Sequence, residues 1–126
     1  MSLVSTKGML LDARQKGYAV GAFNANNLEM AQGIVMAAEK EKAPVIVQVS
    51  QGGAEHGGLE EMAAIIKSLA AKASVPVALH LDHGVDVVYN MRCLRVGFTS
   101  LMYDGSKLAF AENVRITREV VLAAHA

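Results

Sequence analysis

The sequence predicts an α/β fold, in which a leading helix is followed by four parallel strands in the order 1-2-3-4, forming half of an eight-unit TIM barrel, (β/α)₈. The apolar pattern switches repeatedly between period 2 and period 3.6, which is typical of strands alternating with helices. Each predicted strand has one apolar face and an opposite face that carries polar groups. A barrel interior accepts such groups, whereas an open doubly wound sheet buries both faces against helices.

The elements follow one another without a linker, so we expect residues 1–126 to form a single domain that is an incomplete barrel. Periodicity and helix-ending glycines predict helices over 3–16, 27–41, 59–73, 86–96 and from 107 to the last residue. Runs rich in Val, Ile and Leu predict strands over 19–24, 45–50, 77–82 and 100–104. The Gly-rich stretch 51–58 is predicted to be a loop. Length alone favours an open sheet, because a whole barrel needs about 250 residues.

The composition excludes several classes of protein. Twelve basic and twelve acidic residues give no net charge, so there is no electrostatic basis for a nucleic-acid or anionic-membrane partner. A hydrophobic content of 52% excludes a disordered chain, and no apolar run approaches the roughly 18 residues of a membrane span. Charged residues interrupt the first segment too early for a secretory signal, and the single Cys93 cannot form an internal disulfide. We therefore expect a cytoplasmic protein.

Each predicted strand ends in a polar residue on its polar face: Asn24, Ser50, Asp82 and Asp104. In a barrel these four side chains converge at one mouth, where the active sites of barrel enzymes lie. A strand-end Asn or Asp is also a good helix cap or turn former, and that interpretation stays open for each position. Likewise, the glycines of stretch 51–58 serve either as turn residues or as part of a phosphate-binding loop.

The segment HLDHG, residues 80–84, is the richest in chemical groups. Two imidazoles and a carboxylate within four residues suggest a metal site, although a pair of hydrogen-bonded core histidines fits the pattern equally well. His80 and Asp82 share the inner face. His83 is expected beyond the end of the strand, where Gly84 lets the backbone turn the imidazole inward. The two remaining histidines, His56 and His125, are expected to face solvent.

Four stretches carry a resemblance that runs nearly from end to end. They read LVSTKGMLLDARQKGYAVGAFNANNLE, PVIVQVSQGGA, VPVALHLDHG, and GFTSLMYDGS with the following AENV. The sequence resembles the class II, metal-dependent fructose-bisphosphate aldolases, whose first signature VPVALHLDHG fits at almost every position. This resemblance implies the N-terminal half of a TIM barrel. Relatives that cleave tagatose 1,6-bisphosphate share the same stretches, so the sugar stays open between the two.

The resemblance implies roles for six residues. Asp82 corresponds to the catalytic acid/base that exchanges a proton with the C4 hydroxyl of the substrate. His83 corresponds to a metal ligand, and Asp104 to a carboxylate at an alternative metal position. Asn24 and Ser50 correspond to substrate-binding positions, and His80 to a residue supporting the metal site. The implied cofactor is Zn²⁺ or another divalent metal, with a monovalent cation as a further candidate.

The implied activity is that of an aldehyde-lyase of glycolysis and gluconeogenesis, which cleaves a ketose bisphosphate to dihydroxyacetone phosphate and glyceraldehyde 3-phosphate. Without a Schiff-base lysine, a divalent Lewis acid can stabilise the enediolate formed by the cleavage. No lysine occupies an inward strand position. The resemblance also implies a homo-oligomer, a dimer or tetramer.

The family's second signature, an acidic segment that brings further metal ligands, is expected just after His125 and is absent from the 126 residues. A catalytic zinc needs about three protein ligands. We therefore expect this chain by itself to be inactive.

Three interpretations are thus in competition. The first is the N-terminal half of a class II aldolase, and we adopt it. The second is a non-catalytic half barrel that self-associates through its unpaired strand edges. The third is an unrelated small α/β protein that binds a phosphorylated ligand, which would be distinguished by an interleaved strand order.

Overall fold

The computed structural model describes residues 2–126, so only Met1 of the expected 1–126 domain lies outside it. Four parallel strands are hydrogen-bonded in the order β1-β2-β3-β4, as predicted. The strands are β1 (Gly21–Asn24), β2 (Val45–Ser50), β3 (Val77–Gly84) and β4 (Ser100–Tyr103). The helices in the described residues are α1 (Thr6–Lys16), α2 (Leu28–Glu41), α3 (Gln51–Gly57), α4 (Leu59–Lys72), α5 (Val87–Val96) and α6 (Phe110–Ala124). This sequential order excludes the interleaved open sheet.

Short polar side chains fix where the helices begin. The Asn27 side chain accepts a hydrogen bond from the Met30 amide at 2.9 Å, and Asp86 accepts one from the Tyr89 amide at 2.6 Å. These contacts satisfy amides that would otherwise lack a partner at the first turn. Asp86 thereby begins α5 two residues after β3 ends, which holds the connection between them short.

One face of the sheet carries the apolar core. Val47, Leu79 and Leu81 are fully buried on this face and belong to the same cluster as Met62 and Ile66 of α4. Burying each such side chain contributes about 1.5–3 kcal/mol. Helices α2, α4 and α5 cover this face, as the outer layer of a barrel does.

On the opposite face the buried apolar residues lie at the amino ends of the strands. There Met9 of α1 forms a second, smaller cluster with Ile46 and Ala78. The helix therefore closes one end of the concave face. The polar side chains of Gln48 and His80 lie farther along the same face, towards the carboxyl ends of the strands.

The Gly-rich stretch 51–58 is not a loop: most of it forms α3. The Ser50 hydroxyl caps this helix by accepting a hydrogen bond from the Gly53 amide at 3.0 Å. A Cβ atom at Gly53 would lie 2.5 Å from the Asn26 Oδ1, so this glycine permits close packing rather than a flexible turn. The prediction of a loop over 51–58 is therefore wrong for residues 51–57.

Other boundaries differ by a few residues. Strand β3 continues to Gly84, because Gly84 pairs with Tyr103 of β4. Helix α6 starts at Phe110 rather than 107, because the preceding residues form a turn in which the Leu108 amide donates to the Gly105 carbonyl at 2.9 Å. Within residues 2–126, no helix is both long enough and apolar enough to cross a membrane.

Strand β3 contains one extra residue relative to β4. Leu81 pairs with Leu101 and Gly84 with Tyr103, so three steps along β3 match two along β4. Such a bulge bends the strand and redirects side chains. A Cβ atom at Gly84 would lie 2.5 Å from the Leu81 Cδ2 and 3.2 Å from the Met102 carbonyl oxygen. The bulge therefore depends on glycine at this position.

We predict that Gly84→Ala lowers the free energy of unfolding by about 1–3 kcal/mol, the usual cost of overpacking. The matched control is Gly8→Ala in α1, where an added Cβ has no neighbour within 4 Å. That control should gain up to about 1 kcal/mol, because alanine favours a helix interior. Urea unfolding of both variants at one protein concentration measures the two changes, and equal effects would contradict the account of the bulge.

Candidate active site

The bulge turns His83 towards the mouth of the half barrel. His83 itself adopts a left-handed backbone conformation, with φ of 57°, at a cost of about 1–2 kcal/mol for a residue with a side chain. The expectation that His83 follows the strand and that Gly84 makes the turn is therefore wrong. The residue lies inside β3, and its own backbone supplies the turn.

A carboxylate holds the His83 imidazole from one side. The Nδ1 atom lies 2.7 Å from the Asp104 Oδ2. The Asp104 Oδ1 accepts from the Ser106 amide at 3.0 Å, and the Asp104 amide donates to the Gly84 carbonyl at 2.9 Å. Because Asp104 is fixed by both its backbone and its side chain, the imidazole ring has a defined orientation.

His83 and Asp104 each stabilise the charged form of the other. Hydrogen bonds from Ser106, and next from His83, lower the pKa of Asp104 below its ordinary value. The Asp104 hydrogen bond, followed by the charge of Asp82, raises the pKa of His83. When His83 is neutral, donation from Nδ1–H to Asp104 leaves a lone pair on Nε2, the arrangement found in metal-binding histidines.

Two amide side chains hold Asp82 on the other side of His83. The Asp82 Oδ2 accepts from the Asn24 Nδ2 at 2.9 Å and from the Gln48 Nε2 at 3.1 Å. Gln48 also donates to the Asn24 Oδ1 at 2.8 Å, so the three side chains form one network. The Asp82 Oδ1 faces the His83 Nε2 at 3.6 Å. Both amides thus bind one carboxylate oxygen and leave the other directed towards the imidazole.

Gln48 is a site residue that the sequence analysis did not assign. It lies on the polar face of the second predicted strand. The register of the strands is the feature that identifies Gln48, because this residue pairs with Asn24 on one side and with His80 on the other. Residues at one level of adjacent parallel strands point to the same face, which brings these side chains together.

Two of the six predicted residues have other observed partners. Ser50 pairs with Asp82 in register, but its hydroxyl caps α3. His80 lies at the level of Asn24 and Gln48, one level below Asp82, and its Nδ1 contacts the Ser100 hydroxyl at 2.8 Å. Burial lowers the pKa of His80, which favours the neutral ring. Asn24, Asp82, His83 and Asp104 are linked by side-chain contacts at the rim, whereas His80 bonds to Ser100.

The rim fits one ligand of a metal ion but not a complete set. Within residues 2–126, no group of three or more His, Cys, Asp or Glu side chains is arranged to hold a metal. The Nε2 atom of His83 is exposed on a ring that is 58% accessible, and its donor chemistry suits Zn²⁺. The described residues therefore contain no complete metal site, and His83 is a candidate for a single ligand.

The sequence of the chain matches a known protein family. Residues 4–126 match the family model described as fructose-bisphosphate aldolase class-II. The chain belongs to this family. The predicted resemblance is thereby confirmed.

Curated relatives and a solved structure agree with the assignment. The probable fructose-bisphosphate aldolase of Bacillus subtilis (strain 168) is 49% identical over 128 residues, which covers 99% of this chain and 45% of the relative. The fructose-bisphosphate aldolase of Geobacillus stearothermophilus is 50% identical over 129 residues, covering 100% and 45%. The YdjI aldolase from Escherichia coli K12 has a TM-score of 0.93 at 37% identity, covering 98% of this chain and 48% of that one. The chain thus spans less than half the length of these proteins, as expected for half a barrel.

We predict that the two histidines of the HLDHG segment titrate in opposite directions in the metal-free chain. His83 should titrate above its ordinary pKa of 6.5 and His80 below it. The favourable His83–Asp104 contact is then complete below pH 6.5 and is lost as the pH rises through the raised pKa of His83. Long-range ¹H–¹⁵N NMR spectra resolve the rings. Asp104→Asn should lower the pKa of His83 and leave His80 unchanged, and a reversed order of the two would contradict this geometry.

Proposed function

We propose that residues 1–126 form one unit, the N-terminal half of the barrel of a class II ketose-bisphosphate aldolase that acts on fructose 1,6-bisphosphate. The observation that carries the proposal is the set of hydrogen bonds that fixes Asp82 and His83 at the mouth. Asp82 is held through one oxygen by two amides, and His83 is held through Nδ1 by Asp104. None of these hydrogen bonds involves the Asp82 Oδ1 or the His83 Nε2, and these two atoms lie 3.6 Å apart.

In this proposal Asp82 is the base that takes the proton of the C4 hydroxyl while the C3–C4 bond breaks, and it returns the proton in the reverse reaction. A carboxylate in hydrogen-bond reach accelerates such a transfer by about 10²–10⁴. The amides of Asn24 and Gln48 hold its Oδ2, which directs Oδ1 into the mouth. Asn24 is placed to contact the substrate beside the same carboxylate, and Ser50, next to Asp82 in register, would contribute from the start of α3.

His83 would hold the metal through Nε2. A bound divalent ion, Zn²⁺ in this proposal, supplies Lewis-acid stabilisation of the negative charge that develops on the substrate, worth several kcal/mol. Asp104 would orient the ring and increase its basicity, and the half-buried His80, one level below Asp82 in β3, would support the site. The remaining ligands would have to come from outside residues 2–126, which have no complete set.

The alternative substrate is tagatose 1,6-bisphosphate, which differs from fructose 1,6-bisphosphate in configuration at C4, the carbon whose hydroxyl Asp82 would contact.

We propose a cytoplasmic location and a role in glycolysis and gluconeogenesis. The buried, unpaired Cys93 supports a reducing compartment, and burial raises the pKa of its thiol to about 12, which makes it unreactive.

The first test is the activity of the 126-residue chain itself. With Zn²⁺ and fructose 1,6-bisphosphate we expect no turnover, because one histidine does not make a catalytic zinc site. A coupled assay for glyceraldehyde 3-phosphate measures the rate. Turnover at ordinary enzyme rates would show that the described residues are sufficient.

The second test supplies the missing part. Residues 1–126 are joined to the portion of the Bacillus subtilis relative that lies beyond the matched 45%, and both sugars are assayed. We expect activity in this chimera, and a loss of about 10²–10⁴ in kcat for Asp82→Asn with metal content unchanged. The matched control is Asp12→Asn on α1, an exposed aspartate paired with Lys16, which should keep full activity. If Asp82→Asn keeps its activity, Asp82 is not the base.

A further inference from the structure

Asn90 of α5 is completely buried, and within residues 2–126 it is the only buried residue with an amide, acidic or basic side chain. Its Nδ2 atom lies 2.8 Å from the Asp86 carbonyl oxygen and 3.4 Å from the Gly84 carbonyl oxygen. Because both neighbours are acceptors, the amide nitrogen with its two hydrogens faces them and the amide oxygen faces away. The Asn90 side chain is therefore directed at the junction between β3 and α5.

Gly84 makes room for this amide. A Cβ atom at Gly84 would lie 2.7 Å from the Asn90 Nδ2, so the contact requires glycine at this position. The Gly84 carbonyl also accepts a hydrogen bond from the Asp104 amide at 2.9 Å. A carbonyl oxygen has two lone pairs, and here one donor comes from α5 and the other from the end of β4. This carbonyl thus links α5 and Asp104 to the bulge in β3.

The Asn90 amide is unfavourable for stability. Its Oδ1 is buried and has no hydrogen-bond partner within residues 2–126, which destabilises the folded chain. Neither carbonyl depends on the Asn90 side chain for a partner: Gly84 keeps the Asp104 amide, and the Asp86 carbonyl accepts from the Asn90 backbone amide at 3.2 Å. An apolar side chain would therefore leave neither carbonyl unpaired. The contact of Nδ2 with Gly84 is the contribution that an apolar residue cannot replace.

We propose that Asn90 is a positioning residue, which fixes the Gly84 carbonyl and thereby the orientation of Asp104. Asp104 in turn holds the His83 imidazole through a contact of 2.7 Å with Nδ1. Rotation of the Gly84 carbonyl would withdraw the acceptor of the Asp104 amide and displace the carboxylate that orients the ring. The consequence for metal binding rests on the proposed function, whereas the consequence for Asp104 does not.

Hydrogen exchange in the 126-residue chain tests the proposal independently of activity. Asn90→Leu has the same branching and lacks the amide. It should accelerate exchange of the Asp104 amide at least about tenfold, because the Gly84 carbonyl is then free to rotate. The matched control is the Thr99 amide, which donates to the Leu79 carbonyl at 2.9 Å near the opposite end of β4. Its exchange should change less than about threefold.

Zinc binding by the chimera of the second activity test measures the effect at the mouth. Removing a residue that supports a metal ligand weakens metal binding by about 10–100-fold. We expect this loss for Asn90→Leu and also for Asn90→Ala, which removes the amide without adding volume. The urea midpoint should stay at or above that of the parent, because the unpaired oxygen is gone. If the larger leucine lowers the midpoint by overpacking, the alanine variant decides.

Cys93→Ala is the matched control on the same helix. Cys93 is as completely buried as Asn90, and it belongs to the apolar core. Its truncation should lower the urea midpoint, because it leaves a cavity, and should leave zinc binding within about threefold of the parent. The two kinds of variant thus separate a loss of stability from a loss of positioning.

The outcomes distinguish this proposal from the proposed function. A parent chimera that binds no zinc contradicts the proposed function, and exchange of the Asp104 amide in the chain then decides the role of Asn90. Unchanged exchange of that amide in both Asn90 variants would overturn the proposal, as would an equal acceleration at Thr99. An equal loss of zinc binding in Cys93→Ala would also overturn it, because the effect would then be one of general destabilisation.

Discussion

The arrangement at the mouth depends on one extra residue in β3. In a regular strand, consecutive side chains point to opposite faces, so Asp82 and His83 could not share a rim. The bulge between Leu81 and Gly84 removes this restriction by placing His83 in a left-handed conformation. Its cost of about 1–2 kcal/mol is tolerated because the surrounding contacts determine the conformation. Gly84 permits close approach on one side, and Asp104 binds the ring on the other.

The two faces of the sheet explain why a polar cluster is compatible with a stable fold. The helix-covered face buries the large aliphatic side chains, and α1 closes the amino-terminal end of the other face. Polar groups remain only where the concave face opens, and there they bind one another: Gln48 to Asn24, and both to Asp82. Asn24, Gln48 and Asp82 are thus positioned by strands, and Asp104, directly after β4, is held by the hydrogen bond of its amide to Gly84.

Much of this fold follows from the sequence, because its apolar periods, caps and strand-end residues agree with one another. The order of the strands and the gathering of Asn24, Asp82 and Asp104 follow from alternation within parallel strands. The bulge does not, because HLDH has no local pattern that marks one residue as extra. Helix α3 was missed because glycines suggest a loop, whereas Gly53 is required by a long-range contact with Asn26. Ser50 fulfils the capping role that the sequence left open.

We infer that the neutral His83 imidazole donates from Nδ1 to Asp104 and presents an unprotonated Nε2 to the mouth. The ¹⁵N chemical shifts of the ring, recorded at a pH above its titration, identify the tautomer directly. We expect a protonated Nδ1 and an unprotonated Nε2, and we expect Nε2 to be the nitrogen whose shift changes when Zn²⁺ is added. A protonated Nε2 in the neutral ring, with Zn²⁺ affecting Nδ1 or neither nitrogen, would contradict the account.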